Sequence, residues 1–495
     1  VDRVSENFPA ADEMRHMIPL DCIAGFDVRP GFYIYEGATP IPNGVNFTVH
    51  SHGATSCELL LYHRMAEQPY AVLPFPENYK IGDVYSMIVF GLNVEEFEYA
   101  YRLDGPYDPG KGLLFDRNHI LLDPYAKAVT GQSTWGKKVS DKGYRARVVR
   151  NNFDWGAAAN PKIPMEDLII YELHVRGFTK MAADVTAPGT FLGIREKIPY
   201  LKELGINAIE MMPIFEFDEL SDRRIVNGKE VLNYWGYNTV SFFAPNNSYA
   251  SAVESNREGL ELKELIKALH ENGIEVILDV VFNHMHDVNI NALERTVPYY
   301  FFRRNEDGSL SNGSWCGNDL NTTALMCRKY ILDMCRRWQV LYGIDGFRFD
   351  LMGIIDQETM KLADAQGKAL DPSFVVYGEG WNMPTALDEE MRTTIQNNLK
   401  TPYIGFFNDF FRDTLRGTNQ METKGYFSGD TYKTNDAMKA ICNLDMFAKI
   451  TQSINYVECH DNATCYDKLQ ISNYDESEKI RKRRSRLMMA AVILS

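Results

Sequence analysis

The spacing of apolar residues changes character about a third of the way along the chain. Up to about residue 155 it is short and alternating. Gly44-Val-Asn-Phe-Thr-Val-His50 sets apolar against polar side chains, and Cys57-Glu-Leu-Leu-Leu-Tyr62 does so less cleanly. Phe97-Glu-Tyr-Ala-Tyr-Arg102 alternates and runs into the dense turn cluster Asp104-Gly-Pro-Tyr-Asp-Pro-Gly110. A period of two puts every second side chain on one face of a strand, and short strands between turn signals predict a β-sandwich.

From about residue 165, apolar runs alternate with amphipathic helices. Residues 168–171, 206–214 and 275–282 read as strands, the last apolar on both faces. Strands of that kind belong to parallel sheets covered by helices on both sides. Residues 194–204 and 258–271 read as helices, stopped by Gly205 and Gly273. The alternation continues with a helix over 330–342 and strands over 346–351, 374–381, 403–409 and 454–461. Seven β units in this order predict a (β/α)8 barrel of the TIM type. The expected organisation is a sandwich over residues 1–155, with its core at about 28–130, followed by a barrel over 156–495. An eighth unit is missing. Residues 484–494 read as the helix after the seventh strand, and an open barrel exposes two parallel edges. The expectation is therefore a barrel cut short after its seventh β/α unit.

Composition narrows the function. Of 495 residues, 45% are hydrophobic and 24% charged, the balance of a folded globular protein. A net charge of −15 argues against nucleic acid, whose phosphates demand Lys and Arg. No stretch is long and apolar enough to span a membrane. The eight cysteines are scattered, with no CxxC pair and no metal-ligand spacing. They read as reduced thiols, which points to the cytoplasm. The chain opens on Val1 with no signal peptide before it, and a removed one is left open.

In parallel barrels the reactive groups stand at the C-terminal ends of the strands. Four strand ends here are unusually polar: Asp279-Val-Val-Phe-Asn-His284, Gly346-Phe-Arg-Phe-Asp350, Tyr377-Gly-Glu-Gly-Trp381 and Val457-Glu-Cys-His-Asp-Asn462. They bring Asp350, Glu379 and Asp461 to one mouth. Cleavage of a glycosidic bond needs a carboxylate that attacks the anomeric carbon and a carboxyl that protonates the leaving oxygen. Arg348 lies two residues before Asp350, on the same face, and offers it a fixed counter-charge. Glu379, flanked by aromatic residues, is placed to have its pKa raised and to serve as the acid.

These four segments resemble the characteristic regions of the α-amylase superfamily, glycoside hydrolase family thirteen. The resemblance implies that Asp350 is the nucleophile, Glu379 the general acid/base and Asp461 the transition-state stabiliser. It further implies that Arg348, His284 and His460 line the −1 sugar subsite and that Asp279 supports the arginine. Tyr171-Glu-Leu-His-Val-Arg-Gly-Phe178 is similar to the first barrel strand of isoamylases and pullulanases. Asn233-Tyr-Trp-Gly-Tyr-Asn238 resembles the region of both groups that faces the branch sugar, which makes Tyr237 the stacking tyrosine and Trp235 and Asn238 its neighbours in the cleft; Trp381, of the Tyr377–Trp381 segment, is a further expected substrate contact.

The subgroup signals are mixed. Asp104-Gly-Pro-Tyr-Asp-Pro-Gly110, Leu122-Asp-Pro-Tyr-Ala-Lys127 and Asn233-Tyr-Trp resemble bacterial glycogen debranching enzymes and isoamylases. Asp350-Leu-Met-Gly353, Tyr377-Gly-Glu-Gly-Trp381 and His460-Asp-Asn462 are closer to type I pullulanases; isoamylases usually carry Gly where this chain has Asn462. Residues 28–130 resemble the starch-binding module that precedes the barrel in such enzymes.

The implied activity is retaining hydrolysis of α-1,6 branch linkages in glycogen, starch or limit dextrins. A type I pullulanase, a glucan branching transferase and a non-catalytic glucan-binding protein stand as alternatives. No cofactor and no metal is expected: Asn283 matches a calcium-ligating position of many amylases, but one residue does not make a calcium site. The expected partner is a branched α-glucan, with no nucleic acid and no membrane; the oligomeric state is left open.

Overall fold

The computed structural model describes residues 17–130, 134–137, 143–252, 257–289, 291–444 and 446–495. Two antiparallel sheets come first. One holds Asp21–Ile23, Phe26–Pro30, Val84–Phe90, Gly44–His50 and Gly37–Ile41 in spatial order, with Lys80–Ile81 beside Val84–Phe90. The other holds Ala128–Thr130, Arg145–Arg147, Phe97–Asp104, Ser56–His63 and Ala71–Pro74. Their facing sides supply Val45, Phe47 and Val49, then Tyr85, Met87 and Val89, against Leu59 and Leu61 and Phe97, Tyr99, Tyr101 and Leu103. Each set repeats every second residue, so the alternation in the sequence becomes the core between the sheets. The polar face of Gly44–His50 is also buried, because Asn46 Oδ1 accepts from the Phe32 N–H at 2.8 Å and Thr48 bonds Ser86 at 2.7 Å. Hydrogen bonds of this kind offset what the buried polar groups lose on leaving water.

A parallel sheet of seven strands follows: β1 (Ile170–Leu173), β2 (Ala208–Met211), β3 (Glu275–Val280), β4 (Gly346–Phe349), β5 (Val375–Gly378), β6 (Gly405–Phe407) and β7 (Ser453–Ile454), each paired to the next. Among the described residues no ladder joins β7 to β1. The sheet nevertheless curls until the two edges face each other. Glu172 of β1 meets His460, beyond β7, at 2.7 Å.

The two faces of this sheet differ in chemistry. Ile209, Met211, Val276, Leu278, Val280, Phe347, Phe349 and Val376 point outward into the large core shared with the helices. Ala208, Ile277, Val375 and Tyr377 point inward, with Ile170, Phe407 and Ile454 against them. The register aligns Asp279 with Arg348 and Arg348 with Tyr377, and Glu172 with Glu210. Aligned residues of a parallel ladder project to the same side, so the inner face carries an apolar floor below and a charged layer above.

Helix Glu258–Glu271 buries Leu262, Leu265, Ile266 and Leu269 completely, at i, i+3, i+4 and i+7. Each such side chain contributes about 1.5–3 kcal/mol. Helix Leu325–Tyr342 starts five residues before the expected 330 and ends at Gly343 in the left-handed conformation, φ 71°. The helix expected over 194–204 is two, Phe191–Glu196 and Ile198–Leu204. Pro199 has no N–H to continue the first ladder, and the chain breaks at Lys197. The helix expected over 484–494 spans Glu478–Leu494.

The strand expected over 454–461 is also corrected: it ends at Ile454. Asn455 and Tyr456 leave the ladder to bond Asn408 and Asp409, and the chain carries His460, Asp461 and Asn462 on an irregular loop. The sandwich and the parallel sheet are joined by polar contacts. The Tyr330 hydroxyl donates to Pro124 O at 2.8 Å, Tyr125 bonds Asp333 at 3.0 Å, and Arg147 pairs with Glu258.

Candidate active site

The charged layer centres on one guanidinium. Arg348 is 2% exposed. Its Nη1 donates to Asp279 at 3.0 Å and to Asp350 at 3.1 Å, and its Nη2 donates to Glu379. A planar fork can serve several carboxylates at fixed angles, which a lysine ammonium cannot. The arginine's pKa is accordingly raised, since the surrounding carboxylates outweigh burial.

Asp350 stands at the end of β4, and Asn283, three residues past β3, holds it. The Asn283 amide donates to the Asp350 carboxylate at 2.8 Å and to its carbonyl at 2.7 Å. Asn283 Oδ1 faces His284 Nδ1 at 2.6 Å, so this amide is fully engaged by its neighbours. Among the described residues no group of three or more His, Cys, Asp or Glu could hold a metal ion.

Glu379 follows β5 and is 3% exposed. Its second oxygen accepts the Leu351 N–H at 2.9 Å. Burial pushes its pKa up to about 7, with the charge of Asp350 adding and Arg348 opposing. The tight approach of the two strand ends needs Gly353, where a Cβ would lie 1.8 Å from the Trp381 carbonyl. Trp381 itself is fixed by its indole N–H, which donates to Asp409 at 2.8 Å.

Asp461 is the most open of the three carboxyl candidates, its side chain 37% exposed. It lies 3.7 Å from His460 Nε2. His460 is clamped on three sides. Tyr237 stacks on its ring at 5.1 Å, Trp235 meets it edge-on at 4.9 Å, and Glu172 bonds Nδ1. The Tyr237 hydroxyl reaches Asp279, and its carbonyl meets His284 Nε2 at 2.8 Å. Burial lowers the pKa of His284. Asn238 donates to Ser221 at 3.0 Å. All eleven residues singled out in the sequence thus lie on or beside this one network, and a 760 Å³ cavity opens beside it. Tyr237, Trp235, Asn238 and His284 line that cavity; Asp350, Glu379 and Asp461 do not, and Tyr237 connects to the first two through Asp279 and Arg348 and to the third through His460.

Two further carboxylates belong to the network and were not singled out. Glu172 bonds His460; Glu210, fully inside β2, accepts from the Tyr377 hydroxyl. Burial raises Glu210 to about 7. The available signal was a lone carboxylate in each of two otherwise apolar strands, Ile170–Leu173 and Ala208–Met211. Such a group has to find a partner.

Burial lowers the pKa of His460, but the hydrogen bond and charge of Glu172 override it and carry it from 6.5 to about 9. A histidine whose pKa rises on folding adds stability that is fully present below pH 6.5 and is lost as pH rises through 9. Glu172→Gln is therefore expected to lower stability by about 1–3 kcal/mol at pH 6, with the gap closing by pH 10. Denaturant unfolding at the two pH values checks this, and an equal gap at both contradicts it.

Two family models match the chain. Residues 169–307 match the α-amylase catalytic domain, and residues 36–126 match carbohydrate-binding module 48, the isoamylase N-terminal domain. The chain is 35% identical over 395 residues to the pullulanase of Bacillus subtilis (strain 168), a match covering 76% of this chain and 53% of that protein. It is 31% identical over 496 residues to the chloroplastic isoamylase 1 of Arabidopsis thaliana, covering 90% and 62%. The crystal structure of a pullulanase from Anoxybacillus sp. LM18-11 superposes with a TM-score of 0.82 at 32% identity, covering 100% of this chain and 67% of that one. The chain spans between about half and two thirds of the length of these proteins. By sequence, by module order and by fold, it belongs to the α-amylase superfamily, glycoside hydrolase family thirteen, in its group of isoamylases and pullulanases.

Proposed function

We propose that this chain carries the catalytic centre of a retaining α-1,6-glucosidase that removes branches from glycogen, starch or limit dextrins. One observation carries the reading: two carboxyl groups share the Arg348 guanidinium, and one of them, Glu379, has a pKa near 7. A carboxyl raised by burial is suited to hold the acid's proton, and Asp350, on the same guanidinium, is placed to attack. Asp350 attacks the anomeric carbon as its bond to the leaving oxygen breaks, and Glu379 gives that oxygen its proton. Glu379 then takes a proton from water, which releases the sugar from Asp350. Asp461 holds sugar hydroxyls in the transition state, Tyr237 stacks under the reacting ring, and His284, His460 and Arg348 complete its pocket. Trp235, Asn238 and Trp381 contact the flanking chain.

We further propose a division near residue 155, with the preceding sandwich acting as a glucan-binding module. Among the described residues no helix is long and apolar enough to cross a membrane. The eight free cysteines fit a reducing cytoplasm.

A pullulanase reading remains as the second, supported by the pullulanase of Anoxybacillus sp. LM18-11 solved with maltotriose bound. Asn462 does not separate it from the isoamylase reading. Its φ of 66° lies in the left-handed region, which both Asn and Gly adopt. Products released from pullulan and from phosphorylase-trimmed glycogen, measured side by side, test the proposal. Short oligosaccharides from trimmed glycogen support glycogen debranching, and maltotriose from pullulan moves the assignment to a pullulanase. No new reducing ends from either substrate overturns hydrolysis in favour of a transferase.

A further inference from the structure

Trp315 sits where neither its side chain nor its backbone is comfortable. It is 74% exposed. Its φ is 61°, in the left-handed region that costs an aromatic residue stability and costs glycine none. The chain offsets little of either cost, since so little of the indole is covered. An uncompensated outlier of this kind points toward a ligand.

The loop that presents it is rigidly built. Asp319, fully buried, accepts the N–H groups of Gly313 at 2.9 Å and Ser314 at 2.8 Å and the Thr385 hydroxyl at 2.9 Å. On the far side of the crest, Gly317 N–H donates to Asn312 at 2.8 Å. Asn318 exchanges two bonds with the Met285 backbone, at 3.1 Å and 2.8 Å, which ties the loop to the residue after His284. The backbone that carries the indole is therefore held on the wall of the 760 Å³ cavity, which Trp315 lines together with Tyr234, Trp235, Tyr237 and His284. A cavity of that size takes a ligand of several rings.

We propose that Trp315 is the stacking platform of an outer sugar subsite, where its indole face carries a glucose ring of the α-glucan chain whose reacting residue lies on Tyr237. This rests on the active-site reading above and extends it. The apolar C–H face of a pyranose fits a flat aromatic surface. A platform whose backbone is already held loses less freedom on binding than one carried by a loose loop.

The test is Trp315→Gly in an Asp350→Asn background, compared with Asp350→Asn alone by calorimetric titration with maltohexaose. The expected result is a Kd raised about tenfold, with Trp315→Phe closer to the parent. The melting midpoint should be unchanged or higher, since glycine relieves the backbone; a merely structural tryptophan would lower it instead. A Kd within twofold of the parent overturns the platform while leaving the active site standing. No binding of maltohexaose by the parent overturns the active-site reading itself, and the platform with it.

Discussion

Asp350→Asn is expected to lower glucan hydrolysis by at least about 10⁴-fold. An amide has no charge with which to attack an anomeric carbon, and no neighbour can substitute. Glu379 faces the same guanidinium from its other nitrogen, and Asp461 sits apart beside His460. Binding should survive, because the stacking surfaces of Tyr237 and Trp235 are untouched. The near-isosteric amide also keeps its place beside Asn283. Reducing-end assays together with calorimetry on maltohexaose separate the two effects. Hydrolysis at an undiminished rate would refute the role given to Asp350.

Arg348→Met is expected to have the second largest effect, on stability as well as on turnover. The side chain neutralises Asp279, Asp350 and Glu379 from a buried position, and Asp279 is 0% exposed. Burial already raises the pKa of Asp279 well above the usual range, against the pull of Arg348. Without the arginine the buried carboxyls hold their protons to higher pH. The folded state then binds more protons than the unfolded one, so the variant loses stability as pH rises above the unfolded carboxylate range. Removing one partner of a buried charge network costs about 3–5 kcal/mol, and turnover should fall about 10³-fold or more as Glu379 and Asp350 lose their common support. Unfolding curves at pH 4 and pH 8 read the stability term. A penalty larger at pH 4 than at pH 8 would contradict the electrostatic account.

How much of this was visible beforehand depended on what each feature rests on. The convergence of Asp350 and Glu379 follows from period-two placement in parallel strands. Once β4 and β5 pair in register, their polar ends must meet, and that follows from spacing alone. The sandwich core was legible for the same reason, since Val45, Phe47 and Val49 repeat every second position. What escaped depends on partners distant in sequence. Glu172 meets His460 across 288 positions, and Glu210 meets Tyr377 across 167. A lone carboxylate in an apolar strand shows that a partner exists without showing which.

Some features are decided by one residue and leave no mark on the apolar pattern. Pro199 divides a helix whose apolar spacing is continuous, because a missing N–H leaves no trace in the hydrophobic pattern. Asn455 and Tyr456 end β7 early through side-chain bonds that an alternating apolar pattern does not reveal. Trp315 carried no signal at all: its interest lies in a backbone angle and an exposure, and neither is written in residue type.

The central claim, that Asp350 forms a covalent link to the sugar while Glu379 manages the proton, is tested most directly by trapping that link. A maltotriosyl fluoride carrying a second fluorine at C5 of the reducing sugar slows both steps by destabilising positive charge at the ring. Its fluoride leaving group departs with little help from an acid, so the glycosyl-enzyme accumulates. Peptide mass spectrometry of the inactivated protein should place one trisaccharide adduct on the segment containing Asp350, and Asp350→Asn should acquire none. An adduct on Glu379 or elsewhere, or hydrolysis with inversion of the anomeric configuration and no adduct, would contradict the account.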